Sequence, residues 1–118
     1  MRNLQNLTES RIQQDCYVWF HNTYPHLRGL FFRIKNEGTN KISGARDKAM
    51  GILPGVADGC LLINGTAIFI EFKTEIGRQR ESQKKWQATI ERVGYKYFII
   101  RNLNEFKELC QTLIVKQK

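Results

Sequence analysis

The sequence predicts an α/β domain in which a mixed β-sheet is flanked by helices. Three observations predict it. Apolar residues recur at helical spacing near both ends of the chain, two β-type runs meet at Asn64-Gly65, and a further β-type run, KYFIIR, follows an amphipathic segment. The predicted order is therefore helix, three strands, helix, strand, helix, with a sheet that is mainly antiparallel at its start.

The chain is predicted to be one domain, residues 1–118, in which 42% apolar residues suffice for a core of two or three layers. No apolar run approaches the ~20 residues of a membrane helix, so no membrane partner is expected. The segment MRNLQNLTES shows no apolar stretch of a secretory signal. Cys16, Cys60 and Cys110 form no CxxC pair, which favours reduced core thiols and a cytoplasmic location.

The first helix is predicted to begin after Thr8, a residue suited to the N-cap, and to end near His21. Its aromatic residues Tyr17, Trp19 and Phe20 spread over nearly half of the circumference. This predicts an exposed apolar patch that could serve as a two-fold dimer interface. The alternative is that these aromatic side chains fill the core of the monomer.

Residues 30–35 are predicted to form a short strand, and residues 36–57 a Gly-rich connector without clear periodicity. Two strands follow in DGCLLINGTAIFIEFK, joined by the Asn-Gly turn that is typical of a type I′ hairpin. Residues 79–93 form an amphipathic helix with Trp86, Ile90 and Val93 on one side, and Gly94 ends it. A strand at residues 96–101 and a helix at 103–115 complete the chain.

The hairpin places charged side chains together. Counting outward from Ile63 opposite Thr66 puts Asp58 opposite Glu71, on a rung where facing Cβ atoms are about 4.5–5.5 Å apart. Lys73 follows two residues later on the same face. A bulge would break this register.

Opposed carboxylates repel unless a cation lies between them, and hard oxygen ligands suit Mg²⁺ or Mn²⁺. Alternatively, Asp58 and Glu71 could lie at solvent-exposed strand ends and simply pair with Lys73.

The charge balance points to a polyanionic partner. The chain has 19 Lys and Arg against 11 Asp and Glu, a net charge of +8. A small basic domain of this kind is typical of nucleic-acid binding, although solvated lysines also keep proteins soluble.

Asp58, followed after a hairpin by Glu71-Phe72-Lys73, resembles the split D…ExK signature of the PD-(D/E)XK nuclease superfamily. The surrounding residues are similar to the VRR-NUC branch, which includes small phage-type stand-alone nucleases. The segments that carry this resemblance are Gly55-Val56-Ala57-Asp58, the IEFKT of residues 70–74, Gly77-Arg78, Gln83-Lys84-Lys85-Trp86, and Gly94 followed by the YFII of residues 97–100. The resemblance covers roughly residues 5–110, and it departs at Ala57, where the family commonly has proline.

The resemblance implies a restriction-endonuclease-like core and a metal-dependent endonuclease that leaves a 5′-phosphate and a 3′-hydroxyl. Asp58, Glu71 and the backbone carbonyl of Phe72 would hold Mg²⁺ or Mn²⁺. Lys73 would orient or help deprotonate the attacking water and neutralise charge on the phosphate.

Two further polar residues are candidates for the same site. Glu9 resembles the first-helix acid that many members point at the metal, although a carboxylate is also favoured at a helix N-terminus. Gln83 lies on the inward stripe of its helix, where it would contact the active site or make a core hydrogen bond. Asn36 could also reach the site.

Basic residues flank the proposed site in sequence and are candidates for phosphate contacts. They are Lys35, Lys41, Arg46, Lys48, Arg78, Arg80, Lys84 and Lys85. A short basic stand-alone domain is most similar to members that cleave branched DNA such as Holliday junctions as homodimers. The alternatives are a nuclease for nicks, flaps or restriction-like sites, and a DNA-binding module without catalysis.

Overall fold

The computed structural model describes residues 7–34, 45–46 and 48–114. Its helices are α1 (Glu9–Thr23), α2 (Glu81–Arg92) and α3 (Leu103–Ile114). Its strands are β1 (Phe31–Arg33), β2 (Gly59–Ile63), β3 (Thr66–Phe72) and β4 (Lys96–Ile100). A single 3-10 turn (Pro25–Leu27) joins α1 to β1. The order of these helices and strands is the predicted one, and residues 45–46 and 48–49 of the predicted connector are helical as well.

The four strands form one mixed sheet in the order β1-β2-β3-β4. Strands β1, β2 and β3 are antiparallel neighbours, whereas β4 pairs with β3 in parallel. A parallel pair needs a crossover connection, and α2 provides it. The predicted mixed α/β architecture is therefore confirmed.

The hairpin between β2 and β3 has the predicted turn and register. Asn64 and Gly65 both adopt positive φ, 56° and 74°, as a type I′ turn requires. Cys60 lies opposite Phe69, and the ladder ends where Gly59 faces Ile70. The strands therefore end immediately beside Asp58 and Glu71.

Helices α1 and α3 cover one face of the sheet and build the core with it. This core contains Ile12, Cys16, Phe20, Phe31, Leu61, Ile63, Ile68, Ile70, Phe72, Ile100, Phe106 and Cys110. All three cysteines are buried and free, as the absence of a CxxC pair indicated. Within the described ranges, no helix has the length and apolar character needed to cross a bilayer.

Of the aromatic residues of α1, Phe20 is in this core, and Tyr17 and Trp19 are half-buried and pack against it, so the predicted exposed patch was wrong. Phe20 is buried, and the Tyr17 ring stacks on Phe31 with 4.0 Å between centroids. Trp19 packs edge-on against Phe106 at 5.9 Å. These rings pack against aromatic side chains that β1 and α3 present to α1.

Helix α2 lies on the opposite face of the sheet. The Trp86 ring packs edge-on against Phe69, with 5.0 Å between the centroids. The helix ends at Arg92, so Val93 is not on its inward side, and 70% of Val93 is exposed. The prediction that Val93 continues the apolar side of this helix was therefore wrong.

Candidate active site

The charged residues of the hairpin meet where β2 begins and β3 ends. Asp58 immediately precedes β2, and its backbone carbonyl accepts a hydrogen bond from the N–H of Ile34 (2.8 Å). Its carboxylate Oδ2 accepts a second hydrogen bond, from the N–H of Phe72 (2.7 Å). The side chain of Asp58 is thereby fixed against the end of β3.

The backbone of Phe72 faces Asp58. The N–H of the next residue, Lys73, donates to the carbonyl of Ile100 on the β4 side (3.1 Å). Since backbone groups of successive strand residues point to alternate sides, both the N–H and the carbonyl of Phe72 point toward Asp58. The carbonyl of Phe72 is thus on the side where a third oxygen ligand is expected.

Glu71 is fully buried, with 0% of its surface exposed. Its two carboxylate oxygens differ: Oε1 accepts hydrogen bonds from the Tyr97 hydroxyl and from Nε2 of Gln79 (3.0 Å). Oε2 is also buried but has no hydrogen-bond partner. Lys73, 6% exposed, is also buried. The alternative of solvent-exposed strand ends therefore does not hold for Glu71, and Asp58 is half-buried.

Lys73 lies between two carboxylates. Its Nζ is 3.4 Å from Oε2 of Glu71 and 3.9 Å from Oε2 of Glu9. Glu9 is in the first turn of α1, and its side chain is 49% exposed. Glu9 therefore occupies the favourable position at a helix N-terminus and also reaches the candidate site.

Burial and crowding of charge raise the pKa of the Asp58 carboxyl above its ordinary value. Burial is the largest cause, and the charges of Glu71 and Glu9 add to it. The Phe72 hydrogen bond and the Lys73 charge act in the opposite direction. Burial, followed by the hydrogen bond to Glu71, raises the pKa of Tyr97, which keeps its hydroxyl protonated. The arrangement thus favours an additional positive charge next to the carboxylates.

The amide that contacts Glu71 belongs to Gln79 rather than to Gln83. The buried Gln83 is the third residue of α2, and its Oε1 accepts a hydrogen bond from the N–H of Arg80 (2.7 Å), which caps the helix. Sequence reasoning did not identify Gln79 or Tyr97. The signal for Tyr97 is its hydroxyl on a strand that is otherwise apolar after Lys96, since a buried tyrosine usually needs a hydrogen-bond partner.

Arg101, which sequence reasoning also did not identify, holds the segment that follows β3 through hydrogen bonds. Its Nη1 donates to the carbonyls of Thr74 (2.6 Å) and Gly77 (2.8 Å). A Cβ on Gly77 would lie 3.0 Å from Oγ1 of Thr74 and 3.5 Å from Cδ of Lys73. Residues 74–77 therefore pack closely beside the aliphatic part of Lys73.

Most of the predicted phosphate-binding residues are exposed. They are Arg46, Lys48, Arg78, Arg80, Lys84 and Lys85. Arg78 and Arg80 flank Gln79, the residue that contacts Glu71, in the chain, whereas Lys84 pairs with Glu81 (3.4 Å). Lys35, Asn36 and Lys41 lie outside the described residues.

No family model matches the chain, and no curated protein matches its sequence. A solved structure described as a "VRR_NUC domain protein" is similar, with a TM-score of 0.78 and 19% sequence identity. The similarity covers 95% of this chain and 92% of that chain. At this identity the similarity is one of fold, so the chain has the fold of a VRR-NUC domain, the α/β architecture that the resemblance implied.

Proposed function

We propose that this domain with a VRR-NUC fold is a metal-dependent endonuclease that hydrolyses DNA phosphodiester bonds. The observation that carries the proposal is the carboxylate of Glu71, whose Oε2 is buried without a hydrogen-bond partner. A buried polar atom that makes no hydrogen bond costs about 1–3 kcal/mol, and such atoms are rare in native proteins; Nζ of Lys73, 3.4 Å away, gives this oxygen a neighbouring charge but no hydrogen bond. A ligand that binds this oxygen accounts for its position beside Asp58 and Lys73.

The donor set fits a hard divalent cation. Asp58 and Glu71 would provide carboxylate oxygens, and Phe72 would provide a backbone carbonyl, the ligand types that Mg²⁺ and Mn²⁺ prefer. Within residues 7–34, 45–46 and 48–114, no three His, Cys, Asp or Glu side chains are grouped as a metal site. Two carboxylates leave coordination positions for water and phosphate, which Mg²⁺ usually retains.

When bound, the metal ion would supply Lewis acidity to the phosphate and to the attacking water. The residues of the chain would position the reacting groups and offset their charge. Lys73, held beside Glu71, would donate a hydrogen bond to the attacking water or to a phosphate oxygen and offset its growing negative charge. The N–H of Phe72 would keep the Asp58 carboxylate aligned. Glu9 would help to hold the ammonium group of Lys73 in place.

The substrate we propose is branched DNA such as a Holliday junction, cleaved by a homodimer. The net charge of +8 and the exposed Arg78 and Arg80, on either side of Gln79 in the chain, support a DNA partner. Resolution of a four-way junction needs two coordinated cuts, and two-fold symmetric chains would supply two active sites. A nuclease for nicks, flaps or restriction-like sites would use the same residues. A DNA-binding module without catalysis would have no need of a buried Glu71 and Lys73.

A cleavage assay with matched variants tests the proposal. Asp58→Asn and Glu71→Gln should each lower Mg²⁺-dependent cleavage at least about 100-fold, the scale of losing one electrostatic group at a reacting centre. Lys73→Met should do the same, whereas Asp15→Asn, which removes a carboxylate paired with Arg11 on α1, should retain activity. Cleavage that persists in EDTA, or full activity of a folded Asp58→Asn protein, would refute the nuclease mechanism.

Comparing different DNA substrates in this assay distinguishes junction cleavage from the other nuclease activities. Linear, nicked, flap and four-way DNA are compared, while sedimentation measures the mass of the protein at the same concentration. Paired symmetric nicks in the junction and a dimeric mass support the resolvase proposal. Equal cutting of linear duplex by a monomer would overturn the resolvase proposal and leave the proposal of a nuclease standing.

A further inference from the structure

The two oxygens of the Glu71 carboxylate are chemically equivalent in solution but differ in the protein. Oε1 accepts hydrogen bonds from two neutral donors, the hydroxyl of Tyr97 and Nε2 of Gln79. Oε2 accepts none and is next to Nζ of Lys73, at 3.4 Å. The surroundings of Glu71 therefore fix which oxygen remains available.

The fold holds Tyr97 in this position from a neighbouring strand. In the parallel β3–β4 ladder, Phe69 is opposite Tyr97 and Glu71 is opposite Ile99, so Tyr97 and Glu71 share one face of the sheet. Tyr97 is 6% exposed, and the ring of Trp86 from α2 lies 6.1 Å from its ring. Because Tyr97 is buried against Trp86 of α2 and Glu71 is fully buried on β3, the hydroxyl has little freedom to leave Oε1.

Gln79 is itself held in place by α2. The same Nε2 that donates to Glu71 also donates to Oε1 of Gln87 (2.8 Å) and lies 3.5 Å from the hydroxyl oxygen of Tyr97. Gln87 in turn donates to Glu91 one turn later (3.1 Å). A continuous set of hydrogen bonds thus connects α2 to the end of β3.

We propose that Tyr97, assisted by Gln79, is a positioning residue that occupies Oε1 of Glu71 and presents Oε2 alone to the metal ion. The inference rests on the proposed function, because it assigns a role within the same metal site. Glu71 then acts as a ligand through one oxygen, and the second oxygen anchors it to β4 and α2. Hydrogen-bonding partners of this kind fix the orientation of metal-binding side chains, and their removal typically costs 10–100-fold in metal affinity or activity.

The test is the affinity of the full chain for Mn²⁺ without DNA, measured from the electron paramagnetic resonance signal of free Mn²⁺. Tyr97→Phe keeps the ring and removes only the hydroxyl, and it should weaken Mn²⁺ binding by about 10-fold. Tyr95→Phe is the matched control, since Tyr95 is exposed and two residues away on the same segment. Gln79→Leu removes the second donor and should also weaken Mn²⁺ binding.

Cleavage at varied Mg²⁺ concentration distinguishes positioning from simple support of the fold. Tyr97→Phe should need about 10-fold more Mg²⁺ for half-maximal cleavage, should approach the wild-type rate at saturating Mg²⁺, and should keep the wild-type KM for DNA. Unchanged Mn²⁺ affinity in folded Tyr97→Phe would overturn the inference. If that variant does not fold, unchanged affinity in Gln79→Leu overturns it. Weaker Mn²⁺ binding by the variants, with a wild type that cuts no DNA, would support the positioning role and refute the nuclease.

Discussion

At the scale of single residues, two tyrosines with buried hydroxyls differ in the hydrogen bonds that those hydroxyls make. The hydroxyl of Tyr97 donates to Glu71, whereas the hydroxyl of Tyr17 is buried without a hydrogen-bond partner. Tyr17 is held by its ring, which stacks on Phe31, and its hydroxyl lies 2.5 Å from where a Cβ on Gly59 would be. Burial, and then the negative charge of Asp58, raise the pKa of Tyr17.

This contrast predicts effects of opposite sign on stability. Tyr17→Phe retains the stacked ring and removes an unpaired polar atom, so the free energy of unfolding should stay the same or rise by up to about 1 kcal/mol. Tyr97→Phe should lower it by about 1 kcal/mol, because Oε1 of Glu71 loses a donor. Urea denaturation measures both variants. A loss of more than 1 kcal/mol in Tyr17→Phe would contradict the prediction and indicate a partner for that hydroxyl, such as a water shared with Asp58.

At the scale of secondary-structure elements, the local part of the site could be predicted and the part from distant elements could not. The Asn64-Gly65 turn fixes the register of its own hairpin, so the sequence placed Asp58 next to Glu71 and Lys73. No turn fixes the register of β4 against β3, because α2 separates them. Tyr97 lies 26 residues after Glu71 in the chain, and its hydroxyl reaches Glu71 only because of this nonlocal strand pairing.

The approach of the chain to Asp58 also depends on contact between elements. Gly55 is buried with φ of +84°, and a Cβ there would overlap the carbonyl of Ser82 and lie 2.8 Å from the backbone nitrogen of Gln83. The segment before Asp58 is therefore packed against the first turn of α2. This contact couples the position of Asp58 to the helix that follows Gln79.

A pair of glycine substitutions tests this packing. Gly29 has a similar φ of +93°, but a Cβ there would meet no atom within 4 Å. Gly29→Ala should therefore lose only about 1 kcal/mol of stability, the cost of a left-handed conformation for a residue with a Cβ. Gly55→Ala should lose a further 1–3 kcal/mol or so, because α2 must shift. Chemical denaturation compares the two, and equal losses would show that the Gly55 contact is not tight.

At the scale of the whole molecule, the fold gathers side chains from several elements at one end of the sheet. Asp58 comes from the start of β2, Glu71 and Lys73 from the end of β3, and Glu9 from the first turn of α1. Exposed basic residues around the beginning of α2 border this end. The total charge could be read from the sequence, but its placement next to the carboxylates required the fold.

The placement of charge predicts how DNA binding responds to salt. The logarithm of the DNA-binding constant K falls as the logarithm of the salt concentration rises. Each phosphate contact that is lost should make this slope about one unit less steep, since fewer counterions are released. Arg78 is exposed and adjacent to Gln79, so Arg78→Ala should reduce both the affinity and the slope. Arg92 is equally exposed but lies at the far end of α2, so Arg92→Ala should leave the slope unchanged.

Fluorescence anisotropy with labelled DNA at several NaCl concentrations measures these slopes. Ca²⁺ replaces Mg²⁺ in this experiment, because its larger and less regular coordination sphere should permit binding with little cutting. A similar fall in slope for Arg78→Ala and Arg92→Ala would mean that DNA responds to the net charge of +8 as a whole. A fall confined to Arg78→Ala would place the phosphate backbone across the beginning of α2, within reach of Glu71 and Lys73.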